Sequence, residues 1–227
     1  KQTKIENLLS YKNGTWWVQD FSSFFPLFNK INYEKKKEFI DLCSAPGGKS
    51  FQILNENFKI ILNDKNLIRI KKLRTNLKRL NFPTEISNYD VLKYDFKAKF
   101  DFVILDTPCS SIGTIRKNPE IFFKNKRPDI KNLIKLQEKL LFKSCQLLKN
   151  NGVLLYMVCS FLQSETTNLI KNFLSKNNNF DITDFKIDKK NSKYKNFIHN
   201  KFIRILPSRL ADNNIDGYFA ALIKKKN

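Results

Sequence analysis

Short apolar stretches alternate along this chain with longer ones whose apolar residues recur every three or four positions. "EFIDLC" (38–43), "KIILND" (59–64), "TEISNYD" (84–90), "FDFVILD" (100–106) and "GVLLYMVCS" (152–160) are short and largely apolar or β-branched, as strands buried on both faces are. Between them, residues 66–81 place Leu67, Ile70, Leu73, Leu77 and Leu80 on one helical face. Residues 129–150 repeat the pattern with Ile130, Leu133, Leu140, Leu141 and Leu148, and Asn151-Gly152 is expected to end that helix and turn the chain. A further helix is predicted at 164–177 and a closing strand at 217–225. Strands alternating with helices predict an α/β fold with a doubly wound sheet, whose ligands bind beyond the carboxyl ends of the strands. Residues 1–37, with "WWVQDFSSFF" (16–25), depart from the pattern and are expected to form an accessory hairpin and helix packed on a core at 38–227. The stretch 186–201 reads as a lysine-rich loop.

Composition narrows the class. The chain has 227 residues, 41% of them hydrophobic, enough for one sizeable globular core. No apolar run approaches the roughly 20 residues that cross a bilayer, and no charged-then-apolar leader opens the sequence, so no membrane partner is expected. Against 21 acidic residues stand 42 Lys and Arg, a net charge of +21 that points to a polyanion, nucleic acid before membrane. Lys/Asn-rich stretches such as "KKNSKYKN" would inflate that charge without any partner. Cys43, Cys109, Cys145 and Cys159 contain no CxxC pair, and His199 is the single histidine. That excludes zinc spacing and a disulfide framework, and predicts a reducing, cytoplasmic setting with no bound metal. His199 lies in a polar stretch and is expected at the surface.

"DLCSAPGGKS" (41–50) ends like a phosphate-binding loop, but the first glycine of that motif falls on Cys43, and Pro46 removes one cradling amide. A nucleotide hydrolase therefore stays open only as an alternative, with "FDFVILD" as its metal-binding strand. The strand ends carry a more coherent set. A glycine turn follows the first, Asp64 ends the second where a carboxylate can accept both ribose hydroxyls, and Asp90 ends the third where it can meet an adenine amino group. That layout suits an adenosine-containing cofactor. Cys145 fits an apolar helix face, whereas Cys109 and Cys159 both stand where strands leave the sheet. A thiolate beside an adenosyl cofactor suits one reaction in particular. Carbon 5 of cytosine cannot take a methyl group until a thiolate adds to carbon 6.

The chain resembles RNA cytosine-C5 methyltransferases of the RsmB/Sun type. The likeness is carried by "WVQD" (17–20), "DLCSAPGGKS", "NLKRL" (76–80), "FDFVILDTPCSSIGTIRKNPE" (100–120), "LQEKLL" (136–141), "GVLLYMVCS" and "ILPSRLADNNIDGYFAALIKK" (205–225). It implies a Rossmann-like class I methyltransferase fold, mostly parallel with a C-terminal antiparallel strand. It implies S-adenosylmethionine as cofactor, held by Cys43, Ser44, Ala45, Pro46, Gly47, Gly48, Lys49, Asp64, Asp90 and Asp106. It further implies Cys159 as nucleophile, Cys109 assisting release, Asp106 on the cytosine edge and Lys49 facing base or cofactor. RNA, most of all small-subunit (16S) ribosomal RNA, is the implied partner of a monomeric enzyme. Arg116, Lys117, Lys124, Lys126 and Arg127 are expected to touch its phosphates. A module that kept the fold and binds RNA without catalysis is the remaining alternative. Three departures stand out: Val158 where the family has Thr, Thr107 where it has Ala, and Ser44 where it has Ala.

Overall fold

Five strands form the parallel half of one sheet: β1 (Phe39–Asp41), β2 (Ile60–Asn63), β3 (Ile86–Ser87), β4 (Phe100–Asp106) and β5 (Leu148–Val158). The structure is a computed structural model and describes residues 4–28, 37–123, 128–187, 189–210 and 213–227. Spatially the strands run β3-β2-β1-β4-β5, so the chain reverses its winding between β1 and β4. In such a sheet a crevice opens at that reversal, beyond the carboxyl ends of the strands.

The helices explain why both strand faces are apolar. Alternate residues such as Leu62, Phe102, Ile104, Leu155 and Met157 share a cluster with Phe51 and Ile53 of α3 (Gly48–Asn55) and Leu73, Leu77 and Leu80 of α4 (Leu67–Leu80). Their neighbours Val103, Leu105, Leu154, Tyr156 and Val158 face Leu140, Leu141 and Cys145 of α5 (Ile130–Gln146), and Leu169, Ile170 and Phe173 of α6 (Thr167–Lys176). The result is three layers around a two-faced core. α3 was not foreseen, because its apolar residues follow the glycine turn with no capping signal: its N-cap is Gly47, without a side-chain cap. α4 and α5 are capped by Asn66 and Asp129, whose side chains accept from Arg69 N and Asn132 N.

Several expectations need correction. Leu67 does not join the buried face of α4; it is 63% exposed at the first turn. α5 ends at Gln146, and Leu148 already belongs to β5. The register against β4 shifts between Phe100 and Phe102, with Asn151 at φ 61°, so Asn151-Gly152 marks an irregularity within a strand and not a helix stop. The antiparallel half is larger than one strand. β6 (Phe180–Thr183), β7 (Ile198–His199) and β8 (Phe202–Ile205) precede β11 (Tyr218–Lys225), which pairs antiparallel with β5, β8 and β6. A hairpin of β9 (Ser208–Leu210) and β10 (Asn213–Ile215) stands apart. Within the expected loop at 186–201, Lys189–Phe197 is 3-10 helical and β7 follows, while residue 188 lies outside the described residues.

Residues 4–28 hold α1 (Leu9–Lys12) and α2 (Phe21–Phe28) but no strand, so the expected hairpin is absent among the described residues. Arg79 anchors α1: Nη1 donates to Tyr11 O at 2.7 Å and Trp16 O at 3.0 Å, and the guanidinium lies 3.8 Å over the Tyr11 ring. α2 packs on α3 and β11 and contributes Phe25, fully buried, to the core. Phe25→Ala should therefore cost about 3–5 kcal/mol, as for a core aromatic and not a surface appendage. Urea denaturation at constant m-value checks this.

Candidate active site

The crevice is walled by the loop after β1. Asp41, the last residue of β1, is buried and accepts Ser50 Oγ at 2.5 Å and Cys43 N at 3.2 Å, which ties the strand end to the first turn of α3. Ser44 donates through N and Oγ to Asn63 O at 2.9 and 3.0 Å, strapping the loop to β2. Gly47 has φ +114°, and a Cβ there would come within 2.1 Å of the Phe51 ring, so no larger residue fits. Gly48 is open towards Gln19, the nearest atom to an added Cβ being 3.8 Å away, which leaves bare backbone facing a cavity.

That cavity, of about 240 Å³, is lined by Asp41, Cys43 to Lys49, Arg69, Asp106 and, across it, Val18 to Asp20. A second, of about 120 Å³, adjoins it at Cys43 and Arg69 and is lined by Asp64, Asp90 and the apolar side chains of Leu42, Val91, Leu92, Leu136 and Leu140. A polar chamber joined to a mostly apolar one with acids at its edge fits an adenosine bearing an amino-acid tail. Asp64 is buried at this junction, where Oδ2 accepts Ala45 N at 3.2 Å, Oδ1 accepts Asn66 N at 2.9 Å, and Arg69 lies 3.6 Å away. Its oxygens thus already hold the loop, so a ribose would share them. Asp90 lies three residues past β3 and turns its own loop by accepting Leu92 N at 3.0 Å.

Lys49 Nζ meets Asp106 Oδ2 at 2.7 Å and lies 5.7 Å from the ring of Tyr218, whose hydroxyl donates to Asp106 Oδ1 at 3.1 Å. Burial opposes the charge on Lys49, yet the attraction and hydrogen bond of Asp106, with Cys159 and Asp41, hold its ammonium above the ordinary value. The lysine therefore answers a carboxylate. Cys109 Sγ and Cys159 Sγ are 3.4 Å apart, and Ser111 Oγ is 3.5 Å from Cys159 Sγ. The two thiols are driven in opposite directions. The hydrogen bond from Cys109 favours a thiolate on Cys159 and, with Ser111 and Lys49, outweighs burial and Asp106 to lower it. The same bond, then burial and the Cys159 charge, raise Cys109 well above its ordinary value. Cys43 is raised too, by burial first and then by Asp41, Asp64 and Asp106.

The three departures resolve by position. Val158 is buried on the sheet face opposite to Cys159, among α5 and α6 residues, so a hydroxyl there would not reach the sulfur. Thr107 is buried with its hydroxyl unpartnered among the described residues. Ser44 makes the β2 strap. Arg116 and Lys117, expected to touch phosphates, stand in ion pairs: Lys117 binds Asp20 at 2.5 Å and Asp216 at 2.7 Å, and Arg116 binds Asp216 at 3.1 Å. Lys124, Lys126 and Arg127 lie outside the described residues. His199 is exposed and Cys145 is core, as expected. Sequence reading missed Asp41, Tyr218 and Glu165. Asp41 passed for a strand end, its partner Ser50 lying nine residues on beyond the glycine turn; the partners of the other two come only with folding.

A family profile described as 16S rRNA methyltransferase RsmB/F matches residues 29–224. The chain belongs to the RsmB/F family. Ribosomal RNA small subunit methyltransferase B of Photorhabdus laumondii is 36% identical over 176 residues, covering 74% of this chain and 40% of the relative. A probable ribosomal RNA small subunit methyltransferase B of Synechocystis is 28% identical over 232 residues, covering 99% of this chain and 51% of the relative. The chain thus spans about half the length of these family members or less. Among solved structures, NSun6 from Pyrococcus horikoshii, determined with SFG, superposes with TM-score 0.84 at 23% identity over 100% of this chain and 57% of the other. The protein PH0851 gives TM-score 0.85 at 27% identity over 99% and 50%. These likenesses agree with a Rossmann-like class I methyltransferase fold. No helix among the described residues is long and apolar enough to cross a membrane, and no metal-binding cluster occurs among them.

Asp41 supplies a pH signature. Burial foremost, then the charge of Asp106, raises its carboxyl from 3.8 to about 7, against the Ser50 and Cys43 hydrogen bonds and Lys49. The folded protein holds a proton there that the unfolded chain releases. The resulting stability is full below about pH 3.8 and lost as pH rises through about 7. Asp41→Asn should flatten this part of the slope, which denaturant titrations across that range will read.

Proposed function

We propose that this chain methylates carbon 5 of a cytosine in RNA, with small-subunit ribosomal RNA as substrate, through a bond from Cys159 Sγ to carbon 6. The observation that carries the reading is the pair of sulfurs 3.4 Å apart at the rim of the crevice, one favoured as thiolate and the other as thiol. S-adenosylmethionine is the cofactor, and when bound it supplies an electrophilic methyl group on a sulfonium. The loop from Cys43 to Lys49 with Asp64, Asp90 and Asp106 would hold it, in the paired cavities that Cys43 and Arg69 join.

The chemistry follows from what the side chains can donate. The Cys159 thiolate adds to carbon 6, while Asp106, braced by Lys49 and Tyr218, meets the cytosine edge and favours a proton on the ring. Carbon 5 becomes nucleophilic and takes the methyl group. Its proton then leaves to water while the electrons of that bond restore the double bond to carbon 6. The bond from sulfur to carbon 6 breaks with its electron pair returning to Cys159, and the ring gives its added proton back to solvent. The Cys109 S–H stands in place to donate to the departing thiolate. Reaching carbon 6 requires an unstacked base, which favours a loop or a locally opened site. The retained thiol pair argues against a module that only binds.

Cys159→Ser should abolish methyl transfer, because a hydroxyl is barely ionised near neutral pH, while RNA binding persists. Cys109→Ala should still attack and should accumulate a covalent protein–RNA complex stable to denaturing electrophoresis, which the double variant does not form. Trapping by Cys159→Ser instead would reverse the roles, and unchanged turnover in both variants would leave the pair as packing. RNA affinity should fall steeply between low and physiological salt, since each neutralised phosphate releases a counterion. A flat filter-binding titration would separate the +21 charge from RNA altogether.

A further inference from the structure

Glu165 is fully buried, yet its carboxylate collects the loops of both cysteines. Oε1 accepts Ser110 N at 2.8 Å and Gln137 Nε2 at 2.9 Å, and Oε2 accepts Ser110 Oγ at 2.5 Å and Ser160 Oγ at 2.6 Å. Gln137 Nε2 also donates to Pro108 O at 2.9 Å, and the Tyr156 hydroxyl donates to the Glu165 carbonyl at 2.9 Å. Ser110 and Ser160 directly follow Cys109 and Cys159, and they come from segments 50 residues apart in sequence.

A buried carboxylate is expensive to desolvate, and no ion pair to Glu165 occurs among the described residues to offset that cost. Four neutral donors from three residues satisfy it instead, so what the acid holds together is two loops and not a cation. An apolar residue would fill the space more cheaply but would leave those donors unpaired. The charge also acts on the chemistry. After the hydrogen bond and charge of Cys159 and burial, Glu165 adds to the forces that keep Cys109 a thiol.

We propose that Glu165 is the positioning residue that sets Cys109 and Cys159 at contact distance, by drawing the two serines behind them onto one buried carboxylate. The inference rests on the assigned roles of the cysteines, but its test can be read without RNA. In the free folded protein, iodoacetamide labelling of each cysteine, followed by mass spectrometry across pH, should find Cys159 reacting before Cys109. Glu165→Gln keeps the shape and removes the charge; it should narrow that preference about tenfold, one pH unit of relative shift. It should also lower kcat by about ten- to a hundredfold through misplaced sulfurs, with cofactor affinity and RNA KM unchanged. A variant that is merely less stable, with wild-type preference and kcat in its folded fraction, overturns the proposal. Should Glu165→Gln not fold, Ser160→Ala removes a single contact to the acid and should lower kcat several-fold; wild-type labelling and turnover there would equally overturn it. If Cys109→Ala protein accumulates no covalent complex with RNA, the cytosine reading fails, while the labelling pattern of the free protein still decides the role of Glu165.

Discussion

The parallel pairing of β4 with β5 is the constraint on which the site depends. Leu105 lies opposite Tyr156 and Asp106 opposite Met157, so the two strands leave the sheet side by side. Cys109 follows three residues after one strand and Cys159 one residue after the other, and this register brings their sulfurs into contact. Strand residues alternate faces, so a slip of one residue would turn Cys159 into the core under α5 and α6 and bring Val158 to the crevice. Register is held by two apolar faces at once. Leu155 and Met157 bind the strand to one helical layer, and Leu154, Tyr156 and Val158 bind it to the other.

The electrostatics run against the overall charge. A chain with a net charge of +21 builds its crevice from acids, with Asp41, Asp64 and Asp106 around Lys49 and Arg69. This arrangement divides the cysteines. Cys43, half-buried and ringed by three carboxylates, is held as a thiol where it lines the crevice. Cys159, next to Lys49 and a donating thiol, is the one on which negative charge is favoured. Arg116 and Lys117, which composition alone would assign to a polyanion, are bound to Asp20 and Asp216.

Those same ion pairs close the architecture. Asp20 belongs to the segment before α2 and Asp216 to the turn before β11, and Ser22 Oγ donates to Asp216 O at 2.5 Å across 194 residues of sequence. Gly113 N donates to Cys159 O at 3.0 Å, and Gly217 N to Gly113 O at 2.7 Å. A Cβ on Gly113 would lie 2.1 Å from Gly217 O, so the loop after Cys109 reaches the end of β5 only because glycine stands there. The first and last parts of the chain thus clamp the segment between the two cysteines.

Much of this was legible in the sequence because its causes are local. The five parallel strands follow from apolar runs, and α4 and α5 from a period of three to four. The glycine turn is visible because only glycine tolerates the φ of Gly47. The roles expected of Cys109, Cys159, Asp106 and Lys49 came from motif resemblance, and folding brings these four side chains together. What the sequence could not decide were pairings between residues distant along the chain. β6, β7 and β8 are short and gain strand geometry from β11, directly or through one another. Leu67 fits the helical period but sits beyond the edge of the core. Glu165 looks like one more polar residue after a strand, and its four donors come from Ser110, Gln137 and Ser160, whose proximity only the packed layers create. Periodicity and backbone sterics are written residue by residue, whereas the partner of a buried charge is settled only when separate elements dock.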